Sequence, residues 1–181
     1  GARPFLADAD LVTKAAVGRS EGTKLCIACN QACLDHYFTG QDVTCLVNPA
    51  ALREDEFTAR PALQTRRIAV VGAGVAGLAA AATAQERGHV VTLFEASVRP
   101  GGQFDLARRV PGKAVFADTI RHYVDRFVRA GGSLNCGVRA TAADLKNFEA
   151  VVLATGVTPR LMDLPGFDRP EVMSYAQLLA G

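Results

Sequence analysis

Tryptophan is absent and aromatic residues fill only 7% of the 181 positions, which argues against recognition of single-stranded nucleic acid by base stacking. Charge of one sign is lacking too, since 20 Lys and Arg against 18 Asp and Glu leave a net +2. Binders of nucleic acid or anionic membranes concentrate positive charge on one face, so neither partner is expected. The opening residues Gly1-Ala2-Arg3-Pro4 include no methionine and no apolar leader. The expectation is a cytoplasmic chain cut from something longer. A hydrophobic content of 49% rules out disorder. Residues 68–85 carry no charge and reach the length of a membrane span. They are mostly alanine and glycine between Arg67 and Glu86, which reads better as a buried strand running into a buried helix.

What is present in excess is cysteine in one place. Cys26, Cys29, Cys33 and Cys45 fall within twenty positions, spaced C-x2-C-x3-C-x11-C. In a reducing compartment clustered thiols bind metal more often than they form disulfides. Structural zinc generally uses two separated Cys-x-x-Cys pairs. Three cysteines within eight residues and a fourth at a distance suit a cuboidal iron–sulfur cluster better, because a curled loop reaches three irons and a remote residue holds the last. Zinc and ordinary buried thiols are the alternatives. Cys136 stands apart and reads as a small buried hydrophobe. His36 adjoins the cysteines and is either a supporting hydrogen-bond donor or a surface residue, while His89 and His122 are given no role, His122 falling on a polar helix face. No Ser–His–Asp grouping and no pair of carboxylates stands out.

Along the chain, a short helix capped by Asp8 or Asp10 is expected to present Leu11, Ala15 and Ala16 and to end near Gly18. Residues 22–64 show no sustained period, and a loop of that length needs something else to organise it. From residue 65 the pattern alternates. Residues 67–71 predict a strand buried on both faces, 75–87 a helix stopped by Gly88, and 90–94 a second buried strand. A looser stretch follows over 95–112. Phe116, Ile120, Tyr123, Val124 and Phe127 then recur at helical spacing, opposite Asp118, Arg121, His122, Asp125 and Arg126. Another strand is expected over 133–140, a capping box at Thr141–Asp144, and a buried strand over 150–154 closed by Thr155-Gly156. Strands alternating with helices predict an α/β fold with a Rossmann-like parallel sheet, carrying the cysteine loop as an N-terminal segment.

The first strand runs straight into Gly72-x-Gly74-x-x-Gly77 and a helix, the context that gives this fingerprint meaning. Gly72 permits the turn, Gly74 lets backbone approach a pyrophosphate, and Gly77 allows close helix–strand packing. Amides at the helix start, including Val75 and Ala76, would donate to phosphate. Glu95, 18 residues beyond Gly77, could accept both ribose hydroxyls and would repel a 2′-phosphate. The alternative is that the glycines serve only packing and that Glu95 is a solvated loop acid.

Two resemblances extend this reading. Glu95 followed by Gly101-Gly102, with Ala154-Thr155-Gly156 closing a later strand, resembles FAD-binding flavoproteins with two dinucleotide domains. That likeness implies FAD rather than NAD, with Gly102, Gln103, Lys113, Thr155 and Gly156 beside it and the backbone of Ala140 near the adenine. More specifically, Ala2-Arg3-Pro4-Phe5-Leu6-Ala7-Asp8, the block from Cys26 to Asp35, Cys45-Leu46-Val47-Asn48-Pro49, Gly101-Gly102-Gln103-Phe104 and Pro111-Gly112-Lys113 resemble the iron–sulfur flavoenzymes related to bacterial NADPH-dependent 2,4-dienoyl-CoA reductase. Trimethylamine dehydrogenase and the NADH:flavin oxidoreductases are broader relatives. Val75 stands where that family often has proline, and Ala50-Ala51-Leu52-Arg53 lacks the Cys-His of some close members.

The resemblance implies a three-domain enzyme, of which residues 1–22 would be the tail of an FMN-binding (β/α)8 barrel, 23–64 the [4Fe–4S] segment and 65–160 the first part of an FAD domain. Residues 161–181 would connect to a nicotinamide domain. Arg3 would hold the FMN phosphate. NADPH would reduce FAD, and electrons would pass through the cluster to FMN, which reduces the double bond of a 2,4-dienoyl-CoA (an enoate) in fatty-acid β-oxidation. No residue of this chain would act as a general acid or base. The barrel and nicotinamide domains would be its partners, and the chain alone would be inactive. An amine dehydrogenase of the same architecture and a zinc-stabilised nucleotide-binding module without redox role are the rival readings.

Overall fold

The computed structural model describes residues 1–57, 60–160 and 162–180. Leu161 and Gly181, the two ends of the expected connector, lie outside the described residues. Four parallel strands, β1 (Arg67–Val71), β2 (Val90–Glu95), β3 (Ser133–Cys136) and β4 (Ala150–Leu153), form one sheet in the order β3-β2-β1-β4. Val70 lies opposite Leu93 in one neighbour and Val152 in the other. Helices α4 (Val75–Glu86) and α6 (Phe116–Arg129) pack on the sheet and on each other. No described helix is long and apolar enough to cross a membrane.

Small side chains let α4 lie close to β1. It buries Gly77, Leu78, Ala81 and Ala82. The companion helix α6 buries Ile120, Tyr123 and Phe127, and these join Val70, Leu78, Val91 and Leu93 in one core. A fully buried side chain of the size of Leu78 or Phe127 contributes roughly 1.5–3 kcal/mol. Arg126 of α6 pairs with Glu86 of α4, locking the two helices together at their C-terminal ends. The capping box is present, with the Thr141 N–H donating to Asp144 at 2.7 Å ahead of helix Ala142–Leu145.

A second, smaller core forms around the cysteine segment. Ala7, Ile27 and Val47 are its buried residues, with Cys26, Cys29, Cys45, Phe104, Val115 and Phe116 packed against it. Short helices border it, α1 (Arg3–Ala7), α2 (Leu11–Ala16) and α3 (Leu34–Phe38).

Four expectations are corrected. The strand near Cys136 stops there rather than at residue 140, because Gly137 turns with φ +75°. Strand β4 is an edge, so Val151, Val152 and Leu153 are partly or largely exposed rather than buried. His122 lies on the buried side of α6, 9% exposed, because the helix packs against both cores and its apolar face is wider than the periodicity suggests. Asp8 caps nothing. It is 2% exposed and accepts from Lys14 Nζ at 2.6 Å and from the Lys24 N–H at 2.8 Å.

Candidate functional site

Two cavities hold the candidate residues. The first, a cleft of about 320 Å³, is lined by Gly72, Gly74, Val75, Ala76, Glu95, Ser97, Gly101, Gly102, Gln103, Phe104 and the stretch Ala154–Val157. Its volume falls in the range of small-molecule sites. The three glycines of the fingerprint divide their work. A β-carbon on Gly77 would sit 1.8 Å from the Gly72 carbonyl oxygen, and one on Gly72 would sit 2.3 Å from the Ala154 oxygen. Both are therefore packing requirements. Gly74 faces open space at the start of α4, where unpaired amides and the helix dipole favour an anion. That open side is where a pyrophosphate fits.

Glu95 holds this loop in shape. One carboxylate oxygen accepts the Ala73 N–H and the other the Ser97 N–H, each at 2.7 Å. Each oxygen keeps a lone pair for a ribose hydroxyl, so sugar binding and loop bracing are compatible. Gln103 opens helix α5 (Gln103–Ala107) and its side-chain oxygen accepts from Tyr175 at 3.2 Å. Tyr175 begins α8 (Tyr175–Ala180), whose last carbonyls accept from Arg109 at 2.7 Å. Lys113 and Ala140 are not part of the cleft wall. Lys113 instead sits over the Phe116 ring, 5.7 Å from its centroid.

The second cavity is lined by all four clustered cysteines, with Arg3, Leu6, Ile27, Asn30, Ala32, Leu46 and Val47. Two non-glycine residues in the left-handed region, Ala28 at φ 54° and Asn30 at φ 62°, curl the loop so that Cys26, Cys29 and Cys33 face one space. Such backbone strain persists only where surroundings impose it. The space amounts to about 20 Å³, little more than one water. Among the described residues no three Cys, His, Asp or Glu side chains converge as ligands of one metal ion. A cuboidal cluster needs no such point, because each of its irons takes one thiolate. The donor set and the curled loop fit that group. Burial pushes the Cys45 thiol up, opposed by hydrogen bonds from the Val47 and Asn48 N–H groups to its sulfur, while the nearby Cys26 and Cys29 push it up further.

Arg3 donates to the Asn30 side chain at 2.6 Å, at the rim of the cysteine cavity. His36 contacts the Asp42 carbonyl at 2.9 Å and faces away from the four thiols. Cys136, half-buried, lies opposite Glu95 across β2 and β3.

Phe104 lines the dinucleotide cleft and packs against both cores. Its ring lies 5.0 Å from that of Phe116. Sequence reasoning gave Phe104 no role. Nor did it find the network behind the cysteines, where Lys24 donates to Asn48 at 2.8 Å and Asn48 to the Leu6 carbonyl at 2.9 Å. No spacing rule reveals such contacts, since the partners lie 24 and 42 residues apart.

Residues 70–130 match the family of NAD(P)-binding Rossmann-like domains. Over 186 residues the chain is 38% identical to a metal reductase of Desulforamulus reducens, covering 99% of this chain and 28% of that protein. It is 37% identical to the N,N-dimethylglycine/sarcosine dehydrogenase of Chromohalobacter salexigens, covering 99% of this chain and 27% of that one. The solved structure of a 2-naphthoyl-CoA reductase in complex with 2-naphthoyl-CoA superposes with a TM-score of 0.91 at 34% identity, over 99% of this chain and 28% of the other. The chain belongs to the flavin-dependent oxidoreductases related to 2,4-dienoyl-CoA reductase and trimethylamine dehydrogenase. It spans little more than a quarter of the length of these relatives. Most of the glycine cleft lies within the residues matched to the Rossmann-like family.

Proposed function

We propose that this chain is the electron-transfer core of an NADPH-dependent flavin and iron–sulfur oxidoreductase that reduces the carbon–carbon double bond of an enoyl-type acyl-CoA. FAD occupies the glycine cleft and Cys26, Cys29, Cys33 and Cys45 hold a [4Fe–4S] cluster; Arg3 helps hold the phosphate of FMN, whose remaining site and that of the nicotinamide lie on other parts of the full-length enzyme. The observation that carries the reading is the gathering of all four clustered cysteines around one cavity, in a chain whose glycine-lined cleft shares Phe104 with the core behind those cysteines. The likeness to a 2-naphthoyl-CoA reductase supports an acyl-CoA substrate.

When bound, such groups supply the two-electron and one-electron chemistry that no side chain can perform. The residues do the rest. The amides at Gly74, Val75 and Ala76 bind pyrophosphate, Glu95 braces the loop and orients ribose, and Gln103 orients the flavin side. Phe104 and Phe116 pack on each other and against the core behind the cysteines. Four thiols, once deprotonated, anchor the metal centre, and Arg3 lends it a neighbouring positive charge. No group in either cavity is placed to move a proton to substrate.

Anaerobically prepared protein tests the reading. About four irons and four sulfides per chain, lost in each of the four cysteine-to-serine variants and retained in Cys136→Ser, is the expected result. Colourless protein with one zinc would replace it by the structural-module reading. The second reading, oxidation of an amine, is favoured by the dimethylglycine/sarcosine dehydrogenase match. Bleaching of the flavin by NADPH against bleaching by a secondary or tertiary amine, in the full-length enzyme, separates the two.

A further inference from the structure

Helix α6 belongs to the dinucleotide-binding part, yet one of its side chains reaches into the cysteine segment. Tyr123 is 3% exposed, and its hydroxyl donates to the Val47 carbonyl at 3.1 Å across 76 residues of sequence. The Arg126 guanidinium sits 5.5 Å from the Tyr123 ring centroid and is itself held by Glu86 of α4. The phenol is thus fixed by two helices before it meets Val47.

The carbonyl it contacts is half of the Val47–Asn48 peptide. The other half, the Asn48 N–H, closes a turn on the Cys45 carbonyl at 3.2 Å, so this peptide shapes the turn that carries the Cys45 side chain. The Asn48 and Val47 N–H groups also lie near enough to the sulfur to favour its charged form. A donor on the carbonyl oxygen polarises the whole peptide and strengthens what its N–H gives, the cooperativity of hydrogen-bond chains in low dielectric. Hydrogen bonds to ligand sulfurs are among the determinants of an iron–sulfur potential. They stabilise negative charge on sulfur, and more so in the reduced form.

We propose that Tyr123 is a positioning residue for Cys45: by donating to the Val47 carbonyl it orients and polarises the Val47–Asn48 peptide toward the Cys45 sulfur and raises the reduction potential of the iron centre held there. The inference rests on the iron–sulfur reading above. It also makes the dinucleotide-binding part, through α6, a determinant of the potential in the cysteine segment.

Midpoint potentials of the full chain, reconstituted anaerobically with iron and sulfide, test it. Tyr123→Phe removes only the hydroxyl. It is expected to weaken the centre's hold on its electron about tenfold, a negative shift of ~59 mV for a one-electron couple. Phe127→Leu loosens the same helix without touching Val47 and is expected to leave the potential in place. Incorporation of 3-fluorotyrosine at position 123, a stronger donor of the same shape, is expected to shift it the other way, and this arm stands even if Tyr123→Phe fails to hold iron. Equal potentials for wild type and both position-123 variants would overturn the proposal while leaving the iron–sulfur reading intact, as would an equal shift in Phe127→Leu. A wild-type chain that takes up no iron sinks both.

Discussion

His122 and Asp8 show how far single residues depend on what surrounds them. His122 is buried, its Nε2 has no hydrogen-bond partner among the described residues, and its pKa is lowered from 6.5 to about 4 by burial first and then by Arg126, Lys24 and Lys14, with Asp8 opposing. The folded state therefore favours the neutral ring. An unfolded chain binds a proton near pH 6.5 that the folded chain refuses until about 4, so stability is complete above the first value and falls as pH drops toward the second. The loss amounts to about 3 kcal/mol at 1.36 kcal/mol per pH unit. Asp8 acts lower on the scale. Burial alone would raise its carboxyl, but the Lys14 ammonium and the Lys24 and Asp10 N–H groups hold it below its ordinary 3.8. Its contribution is present above that value and disappears only as pH falls through the lower, folded one. Urea unfolding from pH 7 to pH 3 should show two successive declines. His122→Gln should flatten the first, and Asp8→Asn the second while costing about 1.5–3 kcal/mol at neutral pH. A single decline unaffected by His122→Gln would show that the ring is not held neutral by the fold.

At the level of elements, the glycine turn offers a sharper contrast. Gly77 and Gly72 are fixed by packing, whereas Gly74 faces open space. Gly77→Ala should destabilise by more than about 2 kcal/mol, as forced overpacking does. Gly74→Ala should leave the melting temperature nearly unchanged but weaken binding of FAD or ADP at least tenfold, measured by calorimetry. The strand–turn–helix unit was legible because period, glycine spacing and helix formers agree over consecutive residues. The same holds for the capping box and the apolar stripe of α6. The short helices α1, α3, α5 and α8 were not legible, since five or six residues carry no period and tertiary contacts decide them. The exposure of β4 escaped for a related reason: a run of Val and Leu is the same in an edge as in a centre. Gathering of the four cysteines in one cavity was readable from spacing, but the left-handed Ala28 and Asn30 that curl the loop were not, because neither is glycine.

Across the whole molecule, the two cores share Phe104 and are tied by the Tyr123–Val47 bond, so what binds in one cavity should be felt in the other. Any group that binds only the folded state stabilises by RT ln(1 + [L]/Kd), about 2.7 kcal/mol at a hundredfold excess over Kd. If the two parts unfold as one unit, ADP at that concentration should slow the extraction of iron by a chelator, because extraction proceeds through opened molecules. If ADP also changes the equilibrium affinity for iron, iron must change the affinity for ADP by the same factor. Phe104→Ala removes the shared side chain but neither cavity's polar groups, so both ligands should still bind while the mutual effect falls toward one. Cys33→Ser, by contrast, should lose iron and keep nucleotide affinity within about twofold, since Cys33 lines only the thiol cavity and contacts beyond shared neighbours add independently. Iron release that ignores ADP in the wild type would mean that the cysteine segment opens by itself, and that the contacts at Phe104 and Tyr123 fix geometry without joining the two parts into one cooperative unit.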